Sequence, residues 1–376
     1  MKVALVHDHL AQDGGAEKVL KVLAEMFPEA PIFTLLYEPE NVNKYFKGRQ
    51  IETSIIQKLP GGVRHYQWYL IFMPLAVEFF DLRGYDVVIS DTSSFAKGVI
   101  TSPDTVHVCY CHTPTRYLWS DTHQYINELP YNKWFKKIIS LVLTRLRIWD
   151  RAASDRVDYF IANSRTIAKR IEKYYRRPST VIYPPVEIDS FKISDISQQK
   201  AEEKYFLAGC RLAPYKRIDL VIEAFALLGS DYHLKIFGDG VDLARLQGLA
   251  HGYNNISFLG RVSEEEKAQL YSSAQAFINP QEEDFGITVV EAMASGRPVI
   301  AYNKGGVTET VVEGQTGLFF SEPTAQSLAD TVKNFNSSNF NPQAIRAHAE
   351  KFSVTNFRTQ ITEFISSKQR SYENRS

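Results

Sequence analysis

The sequence predicts an α/β protein built from two parallel-sheet domains. Strand-like and helix-like stretches alternate along both halves, and Pro184-Pro185 followed by a polar stretch interrupts the alternation near the middle. Alternating β and α units fold as parallel sheets with helices on both faces. Ligands then gather beyond the carboxyl ends of the strands.

In the first half, residues 2–6 form an expected strand, 11–15 a glycine loop, and 16–27 a helix with Val19, Leu20, Val22 and Leu23 on one face. Further strands are expected at 31–36, 86–90, 98–101, 106–111, 159–162 and 181–183. The second half keeps the rhythm more cleanly. Strands at 205–208, 233–237, 256–259, 276–278 and 298–302 alternate with helices at 218–228, 241–250 and 264–273, and with one that begins near Gly286 and stops at Gly296. Ser263 and Glu266 make a capping-box pattern for the 264–273 helix. The expected division is a domain at 1–186, a linker at 187–203, a domain at 204–353 and a helical tail at 354–376.

The 376 residues leave room for two ordinary domains. Lys and Arg total 43 and Asp and Glu total 43, so no global field attracts nucleic acid. The longest purely apolar run, 69–77, is far short of a bilayer span. The chain opens with no secretory pattern, and three cysteines fit a reducing compartment, so a cytoplasmic protein is expected. Cys109 and Cys111 lack zinc-site spacing, and no metal is expected.

The most informative stretch is 281–300, Gln-Glu-Glu-Asp-Phe-Gly-Ile-Thr-Val-Val-Glu-Ala-Met-Ala-Ser-Gly-Arg-Pro-Val-Ile. Glu283 falls in the loop before a helix and Glu291 about a turn inside it, so both can converge on a helix N-terminus that favours an anion. An isolated pair of this spacing needs no more than a helix cap and a loop charge. With Gly305-Gly306-Val307-Thr308-Glu309 added, the block resembles the donor-site signature of the retaining glycosyltransferases of family 4. That resemblance implies a GT-B fold, two Rossmann-like domains facing a central cleft, with the acceptor on the first and the nucleotide-sugar on the second. It implies that Glu283 meets sugar hydroxyls, that Glu291 holds the ribose, and that the backbone at Phe285, Gly286 and Ile287 meets sugar and phosphate. It also implies a tail that crosses back to the first domain.

Arg211 and Lys216 follow a strand, where two cations can clamp a diphosphate and stabilise the charge it gains on leaving. They resemble the family's phosphate-binding pair. Gly238 and Asp239, with Arg261 one unit later, are expected near the base. Glu309 is either a structural helix residue or a partner that orients Lys216. In the first half, Asp13-Gly14-Gly15-Ala16-Glu17 resembles the family's Gly-Gly-Ala-Glu loop, which implies donor contacts from Gly14 and Gly15 and an acceptor role for Glu17. His112 sits where the family has an active-site histidine, with Thr113 and Arg116 as acceptor groups. The expected catalytic set is His112, Arg211, Lys216 and Glu283.

Segments 81–98 and 109–119 look like bacterial mannosyltransferases that build O-antigen and exopolysaccharide repeats. This implies GDP-mannose as donor, no cofactor, and an undecaprenyl-diphosphate-linked glycan as acceptor. UDP-glucose or another nucleotide-sugar is the alternative donor, and a non-catalytic sugar-binding partner of a polysaccharide assembly complex is the alternative role. The favoured mechanism is same-face attack, with the departing phosphate taking the acceptor's proton. Residues 131–151 form an amphipathic helix. Phe135, Ile139, Val142, Leu146 and Trp149 are expected to pack on the domain, with Lys133, Lys137, Ser140, Thr144, Arg147 and Arg151 wet. That basic side and the aromatic 66–72 segment are expected to turn the domain toward a lipid-linked acceptor, with peripheral association at the inner face of the cytoplasmic membrane.

Overall fold

A computed structural model describes residues 1–12, 14–196, 199–200 and 204–373. Asp13 of the glycine loop, five residues of the expected linker (197–198 and 201–203) and residues 374–376 lie outside the described residues. The chain divides into two compact units, Met1–Pro185 with Phe357–Ser376, and Val186–Asn356.

The first unit carries a parallel sheet of β1 (Val3–Leu10), β2 (Ile32–Tyr37), β3 (Ile51–Thr53), β4 (Val87–Thr92), β5 (Val106–Cys111), β6 (Tyr159–Ala162) and β7 (Ser179–Val181). Their order is β3-β2-β1-β4-β5-β6-β7. The central strands β4 and β5 are buried throughout, as a sheet covered on both faces requires. On one face Val6, Val88 and Phe95 pack with Met73, Val77, Leu143 and Leu146. Further along the same face, Cys109, Cys111 and Phe160 pack with Ile167, Ile171 and Tyr175 of helix Arg165–Tyr175. The two thiols are therefore core groups, and burial pushes Cys111 well above the usual thiol range.

Two strand expectations need correction. Residues 98–101 form no strand: a short 3-10 turn, Ala96–Gly98, stands there instead. β4 and β5 pair directly from Val87↔Val106 to Thr92↔Cys111, which leaves no ladder between them for another strand. Gly98 also packs under Trp149, where a Cβ would come within 2.4 Å of the indole. The strand expected at 181–183 lies at Ser179–Val181, ahead of Pro184-Pro185. The short β3 and the helices Pro39–Phe46 and Met73–Glu78 gave no periodic signal long enough to be read.

The second unit has β8 (Phe206–Gly209), β9 (Leu234–Phe237), β10 (Ile256–Gly260), β11 (Phe277–Asn279), β12 (Val299–Tyr302) and β13 (Gly317–Phe320), all parallel. Their order is β10-β9-β8-β11-β12-β13. Helix Ile218–Leu228 buries Leu220, Val221, Ala224 and Phe225 against this sheet, together with Leu328 and Val332 of helix Ala325–Lys333. In helix Val354–Glu373, Phe357 meets Tyr110 edge-on, Phe364 meets Tyr159, and Arg358 pairs with Glu25 at 2.5 Å, all within the first unit.

Helix Lys133–Ala153, capped by Asn132 Oδ1 accepting the Phe135 N–H, departs from expectation on its outer side. Leu143 and Leu146 are buried, with Ile139, Val142 and Trp149 packed beside them. Phe135, however, faces out, and Trp134 (76% exposed), Ile138, Leu141 (70%) and Ile148 form a second apolar stripe. Arg147 is no free surface charge, because its Nε donates to the Leu118 carbonyl and its guanidinium lies over Trp119. The helix carries apolar residues on two stripes and the domain covers one. The neighbouring 3-10 helix Tyr66–Phe72 and helix Met73–Glu78 also expose Trp68, Ile71, Phe72 and Leu75, followed by Phe79 at 74%.

A buried ion pair ties these pieces together. Lys97 and Asp150, each 1% exposed, meet at 2.5 Å. The Asp150 carboxylate also accepts from Thr115, Trp119 and Tyr175 at 2.8 to 2.9 Å. Asp150→Ala strands the Lys97 ammonium in the core. It is expected to cost roughly 3–5 kcal/mol in urea unfolding, whereas Arg83→Ala, which removes an exposed ion pair, should be nearly neutral.

Candidate active site

In the second sheet the winding direction reverses between β8 and β11, which leaves an open crevice at their carboxyl ends. Arg211 follows β8, exposed, with Nη2 donating to the Tyr215 hydroxyl at 3.2 Å. Lys216 closes the short turn Pro214–Lys216 and places Nζ 2.6 Å from Glu283 Oε1, and Gln281 Nε2 donates to the same oxygen at 2.5 Å. Burial alone would pull the Lys216 ammonium down, but the Glu283 carboxylate overrides it and holds the pKa above the usual lysine value. Glu283, beyond β11, is locked by its backbone too: its carbonyl accepts the Gly306 N–H at 2.7 Å. A Cβ on Gly305 would lie 2.4 Å from the Glu283 carbonyl oxygen, and one on Gly306 2.3 Å from that of Asp284. Only glycines let these two loops touch. The carboxylate that holds Lys216 is thus Glu283; Lys304 pairs with Glu282 at 3.0 Å.

Helix Ile287–Ala294 starts at Gly286, whose φ of +94° suits a residue without a side chain. No side chain caps it among the described residues, so its first-turn amides face outward as an anion cradle. The Phe285 ring is buried edge-on against Phe352, which leaves only its backbone for a ligand. Glu291 is 3% exposed and accepts from Lys267 Nζ at 3.2 Å and Tyr271 OH at 3.4 Å. It faces helix Glu264–Ser273, deeper than the helix tip where the sequence placed it.

Gly238 and Gly240 serve a purpose the sequence did not disclose. A Cβ on Gly238 would sit 1.9 Å from the Cys210 carbonyl oxygen, and one on Gly240 2.1 Å from that of Leu212. The loop after β9 is therefore pressed onto the loop that carries Arg211. Asp239 joins them, its carbonyl accepting the Leu212 N–H at 2.8 Å and its side chain the Gly240 N–H at 2.7 Å. Arg261 is exposed just past β10. Cys210, beside Lys216 and Glu283, is pushed by burial to about 12 and stays a thiol.

In the first unit the reversal lies between β1 and β4, and a second polar cluster gathers there. His112, just past β5, has Nε2 2.6 Å from Asp91 Oδ1. Asp8 accepts the N–H groups of Ser93, Ser94, Phe95 and Ala96, and so fixes the loop after β4. Gly14 and Gly15 begin helix Gly15–Met26. Glu17, an expected acceptor group, instead turns inward at 2% exposure and accepts the Gly14 N–H at 3.0 Å, so it builds the loop. Thr113 is buried, its hydroxyl 3.3 Å from the Pro114 carbonyl, and Arg116 lies 4.0 Å from Asp121. His7, Asp8, Asp91, Gln281, Lys267 and Tyr271 were missed. The signal for the first three was polar residues inside otherwise apolar strands, His7-Asp8-His9 and Ser90-Asp91-Thr92. Among the described residues no group of three or more His, Cys, Asp or Glu is placed to hold a metal ion.

Two family models cover this chain in sequence. Glycosyltransferase Family 4 matches residues 13–190 and Glycosyl transferases group 1 matches 189–352. The chain belongs to this family of glycosyltransferases, and its two parallel-sheet units are those of the GT-B fold. The alpha-1,3/1,6-mannosyltransferase ALG2 of Dictyostelium discoideum is 26% identical over 88% of this chain and 88% of its own length. The O-antigen chain mannosyltransferase RfbU of Salmonella typhimurium is 32% identical over 48% of this chain and 51% of its own. The crystal structure of Anabaena HepE in complex with UDP superposes with a TM-score of 0.72 at 21% identity, covering 98% of this chain and 100% of that one.

Lys216→Ala is expected to weaken nucleotide-sugar binding by about 2 kcal/mol in calorimetry, the scale of a lost charge-assisted hydrogen bond. Gly238→Ala should lower the thermal midpoint as well as the affinity, because its methyl meets backbone and not a movable side chain.

Proposed function

We propose that this glycosyltransferase is a retaining, metal-independent hexosyltransferase that moves mannose from GDP-mannose to a lipid-linked oligosaccharide during bacterial surface or exopolysaccharide synthesis. The observation that carries the mechanism is the Glu283 carboxylate, which takes hydrogen bonds from Lys216 and Gln281 at one oxygen. A carboxylate so engaged is a poor nucleophile but a good receiver of sugar hydroxyls. That favours attack on the face the diphosphate leaves, with Arg211, Lys216 and the amides after Gly286 holding its charge. With three N–H donors, the Lys216 ammonium reaches the diphosphate while it keeps its bond to Glu283. Glu291, held by Lys267 and Tyr271, is the proposed ribose contact, and His112 the proposed substrate contact of the first unit.

ALG2 and RfbU support mannose as the transferred sugar, and HepE, solved with UDP, supplies the competing nucleotide. The outward apolar stripe of helix Lys133–Ala153 and the exposed residues from Trp68 to Phe79 support an acceptor held at a membrane. Among the described residues no helix is long and apolar enough to cross one, so the proposed association is peripheral, at the inner face of the cytoplasmic membrane. Lys133 and Lys137 flank the stripe and Arg145 lies within it, as groups for anionic headgroups.

Calorimetry with GDP-mannose, UDP-glucose and UDP-GlcNAc should select GDP-mannose, and proton NMR of the slow hydrolysis should show the α-sugar as first product, undiminished by EDTA. Tighter binding of a uridine donor would replace the mannose reading, a β-product would end the retaining one, and binding without turnover would point to the non-catalytic role. The triple change Trp134→Ser, Leu141→Ser and Phe79→Ser is expected to cut binding to anionic vesicles about tenfold or more while leaving transfer to a soluble acceptor analogue intact. Equal losses on both would argue against the membrane face.

A further inference from the structure

A series of contacts in the first unit joins His112 to the glycine loop through groups that no role yet explains. Asp91 Oδ1 meets His112 Nε2 at 2.6 Å, and Asp91 Oδ2 meets His7 Nδ1 at 2.9 Å. The same His7 nitrogen lies 3.1 Å from the Asp91 carbonyl. On the other edge of the ring, Nε2 is 3.8 Å from Glu17 Oε1, and Glu17 Oε2 accepts the Gly14 N–H. His7, Asp91 and Glu17 are 3%, 0% and 2% exposed.

Two oxygen acceptors face His7 Nδ1, so that nitrogen carries a proton, and a carboxyl group facing Nε2 favours a second proton there. A neutral ring would take away the positive charge that lies between the two buried acids, a costly change. Burial by itself would pull the imidazole down, but the hydrogen bond to Asp91 and the charges of Asp91 and Glu17 override it and push it up to about 10. Asp91 is held below the usual carboxylate range: burial opposes this, and the facing His112 and His7 win. Around His7 stand Asp91 on β4, Glu17 on helix Gly15–Met26, and uncharged Thr34, its register partner on β2. His9 on the same strand is pulled down by burial and remains neutral near pH 7. An ionised Asp91 accepts from Nε2–H of His112, which fixes a proton on that nitrogen.

We propose that His7 is a positioning residue: clamped between Asp91 and Glu17, it fixes the ring orientation and tautomer of His112 through Asp91, and the path of the Gly14 loop through Glu17. This rests on His112 being the substrate contact of the first unit and adds what holds it. The arrangement resembles the logic by which a buried acid fixes a catalytic imidazole, with a second imidazole behind the acid.

Nitrogen-15 NMR of the ring nitrogens and steady-state kinetics on the full chain test the proposal, using the nucleotide-sugar that calorimetry selects. In the unaltered chain at pH 8, His112 should show the Nε2–H tautomer and His7 both nitrogens protonated. Glu17→Gln keeps an acceptor for Gly14 and touches neither Asp91 nor His112, but removes the charge beside His7. It should mix the His112 tautomers and lower kcat about tenfold, with the donor KM within about twofold and the loss deepening from pH 7 to 9 as His7 releases its proton. His7→Gln should give the same kcat loss without that added pH dependence. If His7→Gln fails to fold, Glu17→Gln alone decides. A folded variant with an unchanged His112 tautomer and unchanged kcat overturns the proposal. Full activity in His112→Ala would instead overturn the reading of His112, while the tautomer shift would still report what His7 does.

Discussion

Everything chemical in this protein depends on where its two sheets reverse their winding. In each, the first strand is flanked on one side by the second and on the other by the fourth, so the connecting helices diverge and the carboxyl edge between them stays uncovered. The first unit fills that edge with Asp8, Asp91 and His112, and the second with Lys216, Gln281 and Glu283. The buried carboxylates are tolerated inside the apolar first sheet because each is partnered: four amides close around Asp8, and two imidazoles around Asp91.

Most of the second unit was legible from sequence, because its strands and helices follow one another at regular spacing and its two site carboxylates sit in one continuous block. Glu283 and Lys216 came from positions far apart in the chain yet meet at 2.6 Å. Glu291 was legible as a residue but not in its setting, since the Lys267 and Tyr271 partners belong to another helix and leave no trace in local pattern. In the first unit the irregular stretch between β3 and β4 could not be read, because its turns are held by distant packing. The stretch at 98–101 was misread for a related reason. Its apolar residues suit a strand, but the neighbouring strands had already paired with each other.

The outer side of helix Lys133–Ala153 carries a similar lesson. Choosing Phe135 with Ile139, Val142, Leu146 and Trp149 as the packing stripe was correct for four of the five, but a second apolar set at Trp134, Ile138, Leu141 and Ile148 was overlooked. A helix with two greasy stripes against one core must leave one of them facing out. Arg147, counted as a solvated charge, instead spends its guanidinium on a carbonyl and an indole of the fold.

The contact between the loops after β8 and β9 bears on how donor preference can change. With Gly238 lying on the Cys210 carbonyl and Gly240 on that of Leu212, neither loop has a shape of its own. Altering the loop after β9 moves the backbone that sets Arg211 and Lys216, so grafting one loop from a homologue would misalign the other. On the proposed function, divergence in nucleotide choice proceeds by exchanging the pair as a single inherited module, or through side chains that leave both main chains where they are.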